Sequence, residues 1–232
     1  MSDAAEKVRA LTHIPIFPLP LVLLPGEMLP LHIFEPRYRQ MLEDIEAERN
    51  LFGVSLFEPG EGFTDRPEIG SLGCVAEVRE AQPAEEGRSN ILTFGVIRYR
   101  IVDYVDRGTP YLLVEVEFFE DSGDDETEVE KASEEIFELF ERVAKAAFDL
   151  SGNRGKFPEI QRSDPERLSF LVTAAFNLEN ELKYELIELE STLERFNKLK
   201  AILKSAVGRM EDSASIHKVA QTNGHSKKKI DL

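Results

Sequence analysis

Apolar and polar residues alternate along several short segments in the first half of the chain. Between residues 29 and 34, every second residue is a leucine or an isoleucine, which is the period of a β-strand. The segment 111–119 repeats the pattern, with glutamates at two of the alternate positions. Strands are predicted at 29–34, 51–57, 70–78, 90–94, 96–104 and 111–119, and the turn signals between and before them are Pro25-Gly26, Pro59-Gly60, Gly62, Pro83 and Gly87. Short strands with such turns are typical of a small barrel or of strongly bent sheets.

One helix is predicted among these strands. Tyr38, Met41, Leu42 and Ile45 recur at the spacing of one helix face, and Pro36 suits the first helical position. Residues 14–119 therefore predict an α+β structure in which a single helix is inserted into a set of strands.

The second half of the chain has helical spacing. Apolar stripes predict helices at 136–150, 168–178, 181–188 and 192–210, and an acidic segment at 121–128 separates them from the strands. We expect a β-domain over residues 12–120, a helical bundle over 127–210 and a disordered tail over 211–232. The stripes of the long C-terminal helices suit a bundle core, and a surface for dimerisation or for docking onto a partner is the alternative.

The acidic composition narrows the possible partners. The formal net charge is −16 at pH 7, whereas nucleic acid is bound by clustered lysine and arginine. Nucleic acid and anionic membrane surfaces are therefore disfavoured, and the acidity serves solubility or offers an acidic face to a basic partner.

Cys74 is the only cysteine, so no internal disulfide is possible and a reducing cytoplasm is expected. The apolar run at 14–25 is too short to span a bilayer and contains four prolines, so neither a signal peptide nor a transmembrane helix is expected.

Reactive groups are sparse. The four histidines have no metal-ligand spacing, and Cys74 lies in a predicted strand, where we expect a buried, inert thiol. Ser169 and Ser191 lie on predicted helices, and the sequence implies no base near either of them. We therefore predict no cofactor, no metal and no catalytic residue.

Three sequence motifs occur in the first half of the chain. The first, within residues 18–41, has LPG at 24–26 and LPLHIFEPRY at 29–38. The second is Ile69-Gly70 followed by CVAEV at 74–78, and the third is GVIRYRI at 95–101. Together they resemble the N-terminal substrate-binding domain of the ATP-dependent protease Lon, and the resemblance covers residues 12–205. It implies a PUA-like β-barrel with one inserted helix, followed by an α-helical bundle, and it implies contact with unfolded or damaged proteins.

The chain departs from the full protease of that family. The phosphate-binding pattern G-x-x-x-x-G-K-[ST] is missing, and the glycines and lysine at 152–156 lack its spacing. The family's Ser–Lys protease domain lies far beyond the region matched here. We therefore expect no ATPase and no protease activity from this chain.

The candidate binding residues lie in the first motif and just before it. Phe17, Leu19, Leu21 and Phe34 are either core or part of an exposed apolar patch. The turn at 35–38 is either structural, with Arg37 paired to an acid such as Asp44 or Glu77, or the rim of a peptide groove. The tentative substrate-binding set is Phe17, Leu19, Leu21, Phe34, Glu35, Arg37 and Tyr38.

These observations predict a non-catalytic protein-recognition module that binds exposed apolar segments of unfolded or damaged proteins. The alternative is an adaptor for one folded partner, such as a full-length Lon protease. PUA-like barrels often bind RNA, but the charge of −16 disfavours that function. The sequence leaves the oligomeric state open.

Overall fold

The structure is a computed structural model that describes residues 2–58, 66–151 and 156–223, with side chains described up to residue 210. The turn signals at 59–62 and the glycine-containing segment at 152–155 lie outside the described residues. The strands are β1 (His13–Leu19), β2 (Met28–Ile33), β3 (Leu51–Leu56), β4 (Leu72–Pro83), β5 (Ser89–Tyr104) and β6 (Leu112–Phe119). The helices are α1 (Asp3–Val8), α2 (Pro36–Glu46), α3 (Glu126–Leu150), α4 (Pro165–Ala175), α5 (Asn180–Glu188) and α6 (Thr192–Asn223). The predicted α+β class with a helical C-terminal region is confirmed.

The strands form one six-stranded sheet in the order β2-β5-β4-β3-β1-β6, and β6 also pairs with β5. Five strands therefore close a circuit, while β2 lies outside it and pairs with the first part of β5. The barrel that the resemblance implied is thus not a simple one, because the long strand β5 pairs with β2 over one half and with β6 over the other. We call the three-stranded part formed by β2, residues 89–94 of β5 and residues 77–83 of β4 the arm.

Strand β5 corrects one prediction. The sequence suggested two strands, 90–94 and 96–104, with a break at Gly95, whereas the structure has one continuous strand. Gly95 is needed for close packing, because a Cβ atom there would lie 2.0 Å from the carbonyl oxygen of Leu24. The backbone of the loop before β2 crosses the strand at this point, where Gly95 exchanges 2.9 Å hydrogen bonds with Gly26 and Glu27.

Contacts divide the chain into two compact units. The first contains residues 1–123 and 169–191, and the second contains residues 124–168 and 192–232. In the first unit, α2 contributes Tyr38, Met41 and Ile45 to an apolar cluster that also includes Phe170 and Ile187. The side chains of Ile14, Ile16, Val75, Tyr99, Ile101 and Val114 belong to a second cluster of the same unit. The predicted division at 12–120 and 127–210 stays a prediction about independent folding.

The second unit consists mainly of α3 packed against α6. The Glu135 carboxylate accepts a 2.5 Å hydrogen bond from Lys200, which links the two helices. Helix α6 runs to Asn223, whereas the tail was predicted to be disordered from residue 211, and residues 224–232 lie outside the described residues. Within the described ranges, no helix is both long enough and apolar enough to cross a membrane.

Candidate functional site

Two of the seven predicted binding residues belong to the interior. Phe17 is 8% exposed and Tyr38 is 4% exposed, and their ring centroids are 3.9 Å apart. Burial raises the pKa of the Tyr38 hydroxyl, and the nearby Arg37 partly opposes this effect. Both rings therefore hold α2 against the sheet, where a partner cannot reach them. Leu19 and Leu21 are half-buried and pack against the same cluster.

The other predicted residues lie at the surface. Phe34 is 58% exposed, and the Arg37 guanidinium donates a 2.9 Å hydrogen bond to Glu35. The same guanidinium lies 4.6 Å from the centre of the Tyr38 ring. Whether any of these residues binds a partner stays a prediction.

The expected partners of Arg37, Asp44 and Glu77, are wrong. The Asp44 carboxylate accepts hydrogen bonds from Gln40 at 3.0 Å and from the Tyr111 hydroxyl at 2.7 Å. Glu77 instead pairs with Lys7 at 2.6 Å and with Arg79 at 2.7 Å. Each acid has a partner from elsewhere in the chain, the Tyr111 hydroxyl for Asp44 and Lys7 for Glu77, and Arg37 pairs with Glu35.

The outer face of the arm is apolar along β2 and β5, and at its border Glu77 and Glu80 of β4 lie opposite Phe94 and Leu92. Met28 is opposite Phe94, and Pro30 is opposite Leu92, in the antiparallel pairing of β2 with β5, so each pair projects from the same side of the sheet. Met28 is 60% exposed, Pro30 is exposed, and Leu92 and Phe94 are half-buried. We call Met28, Pro30, Phe34, Leu92 and Phe94 the apolar face. Because monomeric proteins rarely expose contiguous apolar surface, this face is a candidate interaction site.

Sequence reasoning missed Met28, Leu92 and Phe94. The alternation in β2 was visible, but both of its sides carry apolar residues, so the pattern could not tell which side faces the core. Leu29, Leu31 and Ile33 face inward, whereas Met28, Pro30 and His32 face outward. The pairing of β2 with residues 89–94 would have identified the outward side, but a pairing between distant segments cannot be read from the local sequence pattern.

Strand β2 also has an open edge. Within the described part of the chain it pairs with β5 alone. An edge strand presents backbone donors and acceptors that an extended peptide can use, and pockets for alternate side chains then give specificity. The arm therefore offers an apolar face and a strand edge side by side.

An open cleft of about 610 Å³ lies at the end of the apolar face where β2 leads into α2. It is lined by His32, Phe34, Arg39, Glu86 and Arg88. The ring of Phe34 stacks on that of His32, with centroids 6.0 Å apart. The His32 Nδ1 atom lies 2.7 Å from the Asn90 Oδ1 atom, which places the imidazole on the outer face of the arm.

A buried arginine was also missed. Arg98 is 1% exposed and pairs with Asp121 at 2.5 Å. Its guanidinium donates to the carbonyl oxygens of Ile187 at 3.0 Å and Leu189 at 2.6 Å. Because these partners are all internal to the first unit, the residue has a structural role. The motif GVIRYRI contains this arginine, but the motif alone did not show that its charge is buried.

The chemistry of Cys74 is that of a buried thiol. Cys74 is fully buried, as predicted, and burial raises the pKa of its thiol to about 12, so the reactive thiolate is scarce at neutral pH. Within the residues described, no three side chains of histidine, cysteine, aspartate or glutamate are grouped to hold a metal ion.

Comparison with known proteins agrees with this architecture. The family model of the ATP-dependent protease La (Lon) substrate-binding domain matches residues 13–205. The Lon protease of Neorickettsia sennetsu is 22% identical over 95% of this chain and 27% of its own length. The Lon protease of Desulforamulus reducens is 25% identical over 82% of this chain and 24% of its own length. The chain thus spans about a quarter of the length of these relatives.

Solved structures share the fold. A Lon N-terminal domain protein from Xanthomonas campestris has a TM-score of 0.61 and 22% identity, covering 82% of this chain and 98% of that one. The N-terminal domain of the Mycobacterium avium complex Lon protease has a TM-score of 0.58 and 18% identity, covering 83% of this chain and 98% of that one. Because the family model matches most of the sequence, the chain belongs to the family of the ATP-dependent protease La (Lon) substrate-binding domain.

Proposed function

We propose that this chain is a non-catalytic recognition module that binds exposed apolar segments of unfolded or damaged proteins. The observation that carries the proposal is the apolar face of the arm. Met28 and Phe34 are two of the four large hydrophobic side chains that the described structure leaves well exposed. An unfolded chain presents apolar side chains and unpaired backbone groups together, and the arm offers complementary surfaces for both.

Burial supports a recognition role over a catalytic one. The buried Arg98 side chain is paired with the Asp121 carboxylate, and the Cys74 thiol is enclosed. Affinity in the micromolar range is expected, because a small surface with few fixed polar contacts gains little beyond apolar burial.

The proposal is tested by titrating the protein with a fluorescently labelled, permanently unfolded model protein, and with the same protein in its native fold. The key variant is Met28→Ser/Phe34→Ser. Removing two exposed apolar side chains from the contact should weaken binding on the order of a hundredfold, since burying each is worth about 1.5 kcal/mol and about 1.4 kcal/mol corresponds to a factor of ten.

The chain offers a matched control. Ile69 and Val102 are 59% and 44% exposed and lie outside the arm, so Ile69→Ser/Val102→Ser removes similar apolar area elsewhere. This variant should bind like the parent protein. Equal weakening by both double variants, or no saturable binding of the unfolded chain, would contradict the proposal.

An adaptor for one folded partner is the second candidate. The exposed carboxylates at 125, 126, 128 and 130 near the start of α3 favour it, because an acidic surface of this kind suits a basic partner. Sedimentation of the chain with a purified full-length Lon protease would distinguish the candidates. A one-to-one complex that dissociates in high salt, together with no affinity for unfolded protein, would favour the adaptor.

A further inference from the structure

The cleft at the end of the apolar face is positively charged in an acidic protein. Its lining includes two arginines and one glutamate, whereas the whole chain carries a formal charge of −16. A local cationic site on such a surface favours an anionic group that the rest of the molecule repels.

The two arginines are positioned by one hairpin and keep donors available. Arg39 donates from Nη1 to the carbonyl oxygen of Glu86 at 2.8 Å, and Arg88 pairs with the Glu86 carboxylate. In the part of the chain that the structure describes, neither guanidinium has another polar partner. Each has five N–H donors in a planar fork, so several remain free to bind a planar carboxylate.

Gly87 makes this arrangement possible. Its φ is +72°, and a Cβ atom there would lie 2.8 Å from the Arg39 Nη1 atom. Glycine therefore allows the left-handed backbone and leaves room for Arg39 at the hairpin.

The cleft also has an apolar wall. Phe34 is 58% exposed and its ring stacks on that of His32, which contacts Asn90. A ligand that combines a carboxylate with an adjacent apolar side chain would contact the guanidinium groups and Phe34 at the same time. The row from Met28 to Phe34 that leads to this point spans roughly 20 Å, which is the length of about six extended residues.

We propose that the cleft binds the C-terminal carboxylate of an extended polypeptide, with its last side chain on Phe34 and its preceding residues along the apolar face. This proposal rests on the proposed function and adds to it a preference for chain ends. The cleft lies at one end of the apolar face. A peptide bound along that face therefore places its terminal carboxylate in the cleft, whereas a carboxylate within the chain would lie farther from the arginines.

The test uses labelled six-residue peptides with apolar residues alternating with serine. One has a free C-terminal carboxylate, one has a C-terminal amide, and one has the amide with an aspartate in the chain. Fluorescence anisotropy should show the free carboxylate binding on the order of tenfold more tightly than the amide, as charge-assisted hydrogen bonds allow. Arg88→Gln should remove this difference and leave binding of the amide unchanged.

Arg107→Gln is the control for the loss of charge, because Arg107 is exposed in the loop between β5 and β6, and it should keep the preference. Arg39→Gln should also abolish the preference, and unchanged binding of the amide peptide by both cleft variants separates loss of the carboxylate contact from distortion of the hairpin.

Each other outcome overturns the proposal in a distinct way. Equal binding of the acid and the amide leaves the proposed function intact and removes the preference for chain ends. Equal binding of the acid and the aspartate-containing amide shows that any carboxylate suffices. Tighter binding of a short single-stranded RNA than of the acid peptide, with the RNA binding lost in Arg88→Gln, assigns the cleft to phosphate. Failure of all three peptides to bind contradicts this proposal and counts against the proposed function as well.

Discussion

At the residue scale, Arg98 shows how a buried charge is accommodated. The guanidinium lies 4.5 Å from the centre of the Phe119 ring and 5.2 Å from that of Phe170, and it pairs with Asp121. Removing such a charge from water is unfavourable unless its donors are satisfied. Two carbonyl oxygens at the C-terminal end of α5, those of Ile187 and Leu189, and one carboxylate accept its hydrogen bonds. The arginine therefore links β5 to residues that are distant in sequence.

Asp121→Ala should destabilise the protein by about 3 kcal/mol, because it leaves a buried guanidinium without its counter-charge. The measurement is urea unfolding of both proteins under the same conditions. The matched control is Glu190→Ala, since Glu190 pairs with the neighbouring Arg100 at 3.7 Å but is 52% exposed. That control should cost less than about 1 kcal/mol. Equal losses for the two variants would show that the buried pair contributes no more than the surface pair.

At the element scale, β5 can pack closely against the loop before β2 only because residue 95 is a glycine and has no side chain. The loop before β2 crosses β5 at Gly95, and the hydrogen bonds from Gly26 and to Glu27 fix the crossing. The arm contains the part of β5 that precedes this crossing, residues 89–94. The position of the apolar face therefore depends on close backbone contact at one residue.

Gly95→Ala should destabilise the protein by about 3 kcal/mol or more, because the added methyl group has to displace backbone rather than a flexible side chain. Gly208→Ala is a control of opposite sign. Gly208 lies in α6 with open space around the site of a Cβ atom, so alanine should stabilise the helix by about 0.5–1 kcal/mol. Thermal and urea unfolding of both variants would check the pair of predictions, and a tolerated Gly95→Ala would refute the account of the crossing.

The sequence predicted these elements well where periodicity was clear. The positions of α2, β3 and β6 followed directly from apolar spacing. The split in β5 was wrong, because a glycine reads locally as a break whether it marks a turn or a close contact. The helical spacing of Tyr38 with Met41 and Ile45 indicated that Tyr38 is buried, whereas the sequence pattern allowed Phe17 to be either core or exposed. The cleft was also missed, because residues 32–39 and residues 86–88 are distant in sequence and come together only when β2 pairs with β5.

At the scale of the whole molecule, the first unit is not continuous in sequence. Residues 169–191 belong to the same unit as the strands, although residues 124–168, which separate them from the strands in sequence, belong to the second unit. Phe170 and Ile187 are at most 1% exposed and lie in the same apolar cluster as α2. The Tyr184 hydroxyl also accepts a 2.8 Å hydrogen bond from the backbone amide of Leu72.

A fragment of residues 1–123 should therefore fail to fold cooperatively, although it contains every strand. It would expose the apolar surface that Phe170 and Ile187 cover and would leave Arg98 without two of its acceptors. We expect increased binding of a hydrophobic dye and a broad urea transition, in comparison with the sharp transition of the full chain. Adding a synthetic peptide of residues 165–191 should restore a sharp transition, whereas a fragment that folds cooperatively without it would support independent folding of the predicted domain 12–120.

This discontinuity has a consequence for synthesis in the cell. The last strand, β6, leaves the ribosome well before Ser191 does, and at 5–20 residues per second the delay is roughly 4–14 seconds. During that interval, the nascent strands lack the segment that completes their interior. A protein proposed to recognise incompletely folded chains therefore passes through such a state itself, and it is then a potential client of its own finished copies.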